Sequence, residues 1–580
     1  MDAKKLFTMS SEGKSEYCCN VVRIGEVKPI ENSDFLGQVM IYDKSIVVRK
    51  DQVKEGMLMF YASNESQLNK DFLSVNNLFE LSEYTQNANG DDIKEIRVLC
   101  EEKKNEVKQL KTNKRVFTKY ITPLMNEDSL TKEDFEKSLK KINSLYDVDN
   151  EYIGDMDNTQ RKSYFSVVND SYITVIDRQI VELENEIDNL NTKMKSNCGF
   201  FNKHGRVRMI RLKGVPSMGF LFTQDELGRY NPKVLSINME EILNMDFDTI
   251  DGELFIKAYV PYVPPKREPR SHTSKAQKKI EKFDRMIPGE FHFHYDTNPL
   301  GKNMWKIQPT DTVVITNKVH GTSGIFSYIK TRKPRKLIFY KWLWNKFIKI
   351  TGLFKKYKCI DYDVVYDNVY SSRTVIKNQY INQSVGSGYY KEDVWKKYND
   401  ILKGHISEGM CVYGEIAGYQ TDSSTMIQKN YDYGCEVGTN FFMPYRITTT
   451  DENGKITDWN VLQVKEWTEN LIKNNTELAS VIKPITIFYH GTLVNLYPQL
   501  RIDEHWHEEV LYQLKQDKEH FGMEENEPLC KNIVPREGIC IRIDDDPISE
   551  CFKLKCDLFF EHERGEMDKG NVDSEMLETY

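Results

Sequence analysis

The chain has 580 residues with 39% hydrophobic content, enough to bury two or more cores and to make about three to five domains of ordinary size. No apolar run approaches the roughly 20 residues that cross a bilayer, and eleven cysteines occur as scattered singles plus Cys18-Cys19 without metal-type Cys-x-x-Cys pairs. We therefore expect a cytoplasmic protein with free thiols and no membrane partner, in which the net charge of −8 does not by itself suggest a nucleic-acid partner.

From the N-terminus, Val21-Val22-Arg23-Ile24, Ser45-Ile46-Val47-Val48-Arg49 and Met57-Leu58-Met59-Phe60-Tyr61 are short β-rich runs separated by turn residues. Val207-Arg208-Met209-Ile210-Arg211-Leu212 adds another far downstream, so residues 1–84 and 201–260 are expected to form one discontinuous small barrel. The intervening residues 85–200 read as helical and charged. Ile176, Ile180, Leu183, Ile187, Leu190 and Met194 recur at alternating spacings of four and three, a heptad seam with Glu, Asp, Asn and Lys on the other faces. Ile96 to Tyr120 is Lys/Glu-rich and carries Leu99, Val107 and Leu110 at helical spacing, which predicts an antiparallel helical hairpin within the chain. A homodimer or other coiled-coil partner through 173–194 is the alternative. Pro261-Tyr262-Val263-Pro264-Pro265 through Lys279 is proline-rich and then basic, so 261–289 is read as a linker.

Thr312-Val313-Val314-Ile315-Thr316 is a β-branched run that predicts a buried strand, and it delivers Lys318-Val319-His320-Gly321-Thr322. A lysine held there can act as a nucleophile on a bound nucleotide, with a glycine where the backbone must pass close to that nucleotide. Lys349-Ile350-Thr351-Gly352 matches the same Lys-x-x-Gly pattern, but has no carboxylate or paired-lysine pattern behind it. From Ile329 to Lys358 there are eleven Lys or Arg and no acidic residue, interleaved with Phe339, Tyr340, Trp342, Trp344, Phe347 and Phe354. Basic plus aromatic suits nucleic acid, with Lys330, Arg332, Lys333, Arg335 and Lys336 as contacts emerging beside the site; a membrane-surface helix is the competing reading.

Farther on, Glu415 in Cys411-Val412-Tyr413-Gly414-Glu415-Ile416 and Glu537 in Arg536-Glu537-Gly538-Ile539-Cys540-Ile541 interrupt or end apolar, strand-like runs. A carboxylate buried there is costly unless it binds a metal, a cation or a ribose hydroxyl, so two of them near one lysine suggest a site for ATP and Mg²⁺, or Mn²⁺. In Phe552-Lys553-Leu554-Lys555 the two ammonium groups alternate with apolar residues and on a strand point to one face, toward a phosphate. Each of these is singly an ordinary strand-edge charge; together they make a site. From Glu561 the chain is acidic and poor in large apolar residues, so 561–580 is expected to be a disordered tail.

In order and spacing the segments around Lys318, Glu415, Met443-Pro444-Tyr445-Arg446-Ile447, Glu537 and Lys553 to Lys555 resemble nucleotidyl motifs I, III, IIIa, IV and V of the covalent nucleotidyltransferases, the polynucleotide ligases and mRNA capping enzymes. His320 in place of Asp, Thr322-Ser323, and Ile427-Gln428-Lys429-Asn430-Tyr431-Asp432-Tyr433-Gly434 look like ATP-dependent RNA ligases. Phe293-His294-Tyr295-Asp296-Thr297 and Arg208 to Phe220 resemble the Deinococcus-type group, which carries an N-terminal OB module. Two departures stand out: Tyr295 replaces a Thr, and Asn317 stands where these enzymes usually place the Glu that reads adenine.

The resemblance covers about residues 20–80, 205–260 and 290–556. It implies an α+β chain: an N-terminal OB-like β-barrel with a helical coiled-coil insertion, then a mixed α/β adenylyltransferase domain on antiparallel sheets at 290–560. It also implies lysyl-AMP formation at Lys318, transfer of AMP to an RNA 5′-phosphate, and displacement of AMP by an RNA 3′-OH, in repair of a nicked duplex, a cleaved tRNA loop or free ends. In that scheme Lys553 and Lys555 neutralise phosphate charge, Glu537 holds metal, Glu415 holds ribose or metal, and Tyr445 borders adenine. His320 meets sugar or phosphate, Arg373 of Ser371-Ser372-Arg373 holds sugar or the acceptor phosphate, and Thr316, Asn317 and Gly321 flank the nucleotide. The OB module would serve acceptor-end recognition rather than chemistry. A GTP-dependent capping guanylyltransferase and a non-catalytic RNA-binding scaffold on a ligase fold are the alternatives.

Overall fold

The computed structural model describes residues 2–11, 13–126, 131–148, 153, 156–261, 283–351, 361–381, 393–421, 423–544 and 550–570. Most of the expected linker, residues 352–358 of the basic segment and residues 571–580 of the expected tail lie outside the described residues.

In the N-terminal region β1 (Cys19–Arg23) pairs antiparallel with β2 (Leu58–Ala62), and β2 pairs with β3 (Phe220–Phe222), Phe60 lying opposite both Val21 and Phe222. Ser66–Leu68 likewise pairs with Ile256–Ala258. Segments more than 150 residues apart thus complete one another's ladders. Their core is aromatic: Phe7, Phe60, Phe72, Phe222 and Phe247 are buried together, Phe60 stacked on Phe222 at 5.4 Å between ring centres. No closed barrel is shown among the described residues: the strands are two to six residues long and lie in separate sheets of two or three.

Between β2 and β3 run two long helices, α1 (Gly90–Asn126) and α2 (Asn158–Ser196). They lie antiparallel, because Lys103, Lys111 and Lys114 reach Glu186, Glu184 and Asp177 in falling order. Val107, Phe117 and Ile121 pack on Val168, Tyr172, Ile176 and Ile180, with Phe117 stacked on Tyr172 at 3.8 Å. A capping box of Asp157 and Gln160 starts α2.

The C-terminal region is built on two five-stranded sheets. Its elements are β4 (Thr312–Lys318), β5 (Thr322–Pro334), α3 (Phe339–Thr351), β6 (Tyr362–Ser371), β7 (Met410–Gly418), β8 (Asn440–Thr450), β9 (Ile487–Thr492), β10 (Gly538–Ile543), β11 (Cys551–Lys555) and α4 (Asp557–Asp568). One sheet runs Asn298–Pro299, β11, β10, β4, β9, antiparallel except for the first pair; the other runs β6, β5, β7, β8, Ile456–Asp458, antiparallel throughout. Val313, Ile315, Ile539, Ile541, Phe552 and Leu554 turn one face of the first sheet into a core with Trp506, Leu514 and Phe521. Phe326, Val412 and Phe442 do the same for the second sheet, against Trp395, Tyr398 and Leu402 of the helix Val394–Leu402. The chain is therefore a mixed α+β protein on antiparallel sheets.

The acidic tail is corrected. Residues 557–568 form α4, whose Phe559 is buried, and the acidic and basic side chains find partners on other elements: Glu561 with Arg211 at 2.7 Å, Glu566 with Lys429 at 2.8 Å, and Arg564 with the Met209 carbonyl at 3.0 Å. Local composition made this segment look unfoldable because its counter-charges are far away in sequence.

Candidate active site

Strand alternation builds the floor of the site. In register, Thr316 faces Cys540, Cys540 faces Lys553, Lys318 faces Gly538, and Gly538 faces Lys555. Residues two apart share a face, so Thr316, Lys318, Cys540, Arg542, Cys551, Lys553 and Lys555 all point away from the core. Every one of them lines a single cavity of about 390 Å³.

Glu537 organises the charges on that floor. Lys318 Nζ donates to its Oε1 at 2.8 Å and Lys555 Nζ to the same oxygen at 3.1 Å. Burial would raise the Glu537 carboxyl, but Lys318, then Lys555 and His320, overcome it and hold the group down to about 2. Gly538 allows the approach: its φ is +144°, and a Cβ there would stand 2.0 Å from the Leu554 carbonyl oxygen. Burial opposes the charge on Lys555, yet Glu563 and Glu537 hold that lysine above its ordinary value. For Lys553 burial prevails, and the lysine sits below its ordinary value despite Glu16 at 2.7 Å. Cys551 has its thiol drawn down to about 7, first by a hydrogen bond from Cys540 against burial and then by Arg542.

The second sheet supplies the facing wall. Glu415 on β7 accepts the Gly321 N–H at 3.1 Å and faces the cavity. Gly321 lies against β7, where a Cβ would stand 2.3 Å from the Ile416 carbonyl oxygen, and neither Gly321 nor His320 lines the cavity. His320 is wedged edge-on between Tyr431 and Phe559 with Nδ1 3.7 Å from Glu537 Oε2, so it meets the site through Glu537. Tyr445 reaches the cavity through a bulge: Tyr413 pairs with Arg446 and Gly414 with Pro444, which leaves Tyr445 as the extra residue of β8. Its hydroxyl meets His294 Nδ1 at 3.1 Å, while burial and then Arg373 push the His294 imidazole down to about 3. Arg373 is held by Asp296 at 2.7 Å, and Asn317 borders the cavity with its Oδ1 lacking a hydrogen-bond partner among the described residues.

A divalent cation fits this donor set. Glu537 Oε2 is buried without a hydrogen-bond partner among the described residues, and Glu415 faces the same space. Mg²⁺ is commonly bound by one or two carboxylates together with substrate phosphates and water, and these two glutamates could supply the carboxylates.

Residues 311–555 match the model of the RNA ligase family. This stretch of the chain is an RNA ligase domain. No curated protein matches the chain significantly. Solved structures of Naegleria gruberi RNA ligase are distantly similar: a mutant with AMP and Mn at 12% identity, TM-score 0.44, over 94% of this chain and 99% of that one; the enzyme with PPi at 12% identity, TM-score 0.43, over 95% and 99%.

The ligase domain does not build the cavity alone. Gly13 to Tyr17, Asn64, Glu65 and Ala258 of the N-terminal region also line it, with Glu16 on Lys553. The N-terminal region therefore lies against the site: an apolar strand pattern does not reveal which loop will fold back over a neighbour. No spacing rule pointed to Glu16. The basic segment is likewise repositioned. β5 runs 13 residues from Thr322, so Lys330, Arg332 and Lys333 lie roughly 25–35 Å along it at about 3.3 Å per residue, and none of the five basic residues lines the cavity. Lys330 and Arg332 lie over the rings of Tyr366 and Tyr362, and Arg335 is paired with Asp363 at 3.1 Å. The Lys349 match falls in α3, without a strand to present it.

Proposed function

We propose that the chain is an ATP-dependent RNA ligase that joins a 3′-OH end to a 5′-phosphate end through lysyl-AMP on Lys318 and adenylylated RNA, in RNA repair. The observation that carries this reading is the convergence of Lys318, Lys553 and Lys555 on one strand face, with Glu537 paired to two of them, inside a cavity. In the first step Lys318 Nζ attacks the α-phosphorus of substrate ATP; the N–P bond forms, the bond to pyrophosphate breaks, and the amine gives up its proton. In the second, an oxygen of the RNA 5′-phosphate attacks that phosphorus, the P–N bond breaks and Lys318 takes a proton back. In the third, the 3′-hydroxyl oxygen attacks the 5′-phosphorus; the phosphodiester P–O bond forms, the anhydride bond to AMP breaks, AMP leaves and the hydroxyl proton passes to solvent.

Glu537 and Glu415 would hold a divalent cation, which would supply neutralisation of phosphate charge. Lys553 and Lys555 act on the phosphates, where positioning and charge stabilisation do most of the work of phosphoryl transfer. Tyr445 borders the base, Arg373 the sugar or acceptor phosphate, and Thr316 and Asn317 the pocket edge. We read residues 1–84 and 201–260 as an OB-like module of the Deinococcus-type kind, and α1 with α2 as its coiled-coil insertion. Incubation with radiolabelled ATP and Mg²⁺ tests the core of the proposal: Lys318→Ala loses the labelled band and Lys349→Ala keeps it. Equal labelling of wild type and Lys318→Ala overturns it.

A further inference from the structure

The helix α3 carries a stripe that no part of the ligation chemistry uses. Phe339 is 72% exposed, Ile350 77%, Tyr340 64%, Leu343 50% and Trp342 47%, whereas Ile348 is buried. At about 100° per residue, Phe339, Leu343 and Ile350 fall within about 40° of one another, opposite Ile348, with Tyr340 and Trp342 on the flanks. Lys346 lies in the same sector, its ammonium 4.9 Å from the Trp342 ring centre. On the inner side Lys341 ties the helix to Asp361 at 2.6 Å, so the outward face has a defined orientation. Single exposed apolar residues are ordinary; a continuous stripe on a 13-residue helix marks an interaction surface.

The chemistry of the occupant follows from the neighbours. The sequence from Ile329 to Lys358 holds eleven Lys or Arg and no acid. The acids that follow on and beside β6 are taken up elsewhere, Asp361 by Lys341, Asp363 by Arg335 and Asp367 by Arg285, so they do not cancel Lys346. The surface therefore asks for negative charge together with apolar depth. RNA offers charge and stacking faces but nothing to cover Leu343 and Ile350, whereas an anionic lipid surface offers both. At about 1.5 Å per residue the helix is about 20 Å long, short of the roughly 30 Å of a hydrocarbon core, so it would lie in the interface plane. No helix among the described residues is long and apolar enough to cross a membrane.

We propose that α3 is an in-plane anchor that docks this chain on an anionic lipid surface, with Phe339, Leu343 and Ile350 entering the acyl boundary and Lys346 meeting headgroup phosphates. This departs from the expectation of no membrane partner and stands independently of the ligation reading. The test is co-sedimentation of the full chain with phosphatidylcholine vesicles containing about 30% phosphatidylserine, against phosphatidylcholine alone. The wild type sediments with the anionic vesicles and far less with the neutral ones. The triple variant Phe339→Ser, Leu343→Ser, Ile350→Ser loses at least about tenfold in affinity, and Lys346→Glu, which leaves the apolar stripe intact, loses roughly fivefold or more. A circular-dichroism spectrum and thermal unfolding curve matching the wild type show that each variant is folded. Absence of wild-type sedimentation, or equal sedimentation of the triple variant, overturns the proposal. Loss of RNA binding in a gel shift by the triple variant, with no vesicle binding by the wild type, assigns the helix to RNA instead.

Discussion

Glu537 shares one oxygen between Lys318 and Lys555, and its other oxygen waits, buried, without a hydrogen bond among the described residues. Its folded-state carboxyl lies far below the ordinary 4.5, so its contribution to stability is complete above that value and is lost only as pH falls toward about 2. The group therefore stays ionised throughout the range in which a ligase can work. Cys551 behaves in the opposite, informative way. A hydrogen bond from Cys540 draws its thiol below the ordinary value, while burial pushes the Cys530 and Cys556 thiols up to about 12. Brief iodoacetamide treatment followed by peptide mass spectrometry should thus modify Cys551 well before those two, at a rate that falls when ATP fills the cavity. Modification of Cys530 at the same rate, or no protection by ATP, would refute its placement in the nucleotide wall.

At the level of elements, the bulge in β8 decides where an aromatic ring goes. An uninterrupted ladder would leave Tyr445 paired and fix its side by alternation; the extra residue releases it, beside a proline that cannot donate to the ladder. Truncating Tyr445 to Ala should raise the KM for ATP in the labelling reaction by roughly tenfold, within the 1–3 kcal/mol that a base gains on an aromatic face. Tyr445→Phe keeps the ring and loses the hydroxyl contact to His294, so its KM should stay near wild type. An unchanged KM in the alanine variant would place the base elsewhere. The helices α1 and α2 show the complementary case, in which heptad spacing is satisfied inside the chain because Lys103, Lys111 and Lys114 match their acidic partners only in the antiparallel sense.

At the scale of the whole molecule, the N-terminal region and the ligase domain are joined by buried or half-buried ion pairs as well as by the shared cavity. Lys302 meets Asp246 at 3.0 Å and the Ser15 carbonyl at 2.7 Å, Arg211 meets Glu561, and Lys553 meets Glu16. A fragment beginning at Glu290 loses Lys14, Glu16 and Tyr17 from the cavity wall. It should form lysyl-AMP with a KM for ATP raised several-fold and a lowered labelling rate, measured by titrating ATP against a fragment shown to be folded by circular dichroism. Labelling indistinguishable from that of the full chain would show that the N-terminal wall does not take part in ATP binding.

Strand alternation is a local rule, so the common face of Lys553 and Lys555 was legible along the chain, as were the helical hairpin and the two carboxylates of the site, whereas Lys318 joins that face only through the pairing of β4, β10 and β11. The same rule gave the antiparallel strands their apolar faces. What lay beyond it depended on contacts between residues hundreds of positions apart. Gly321 packs against β7, and the ring of His320 lies between Tyr431 and Phe559. Glu16 became a wall of the cavity through a lysine 537 positions away, and residues 561–568 became helix because Arg211, Lys429 and Lys555 supply their counter-charges. Periodicity tells a side chain which face to take. Only the assembled structure, by bringing charges of opposite sign together where water is excluded, decides what that face meets.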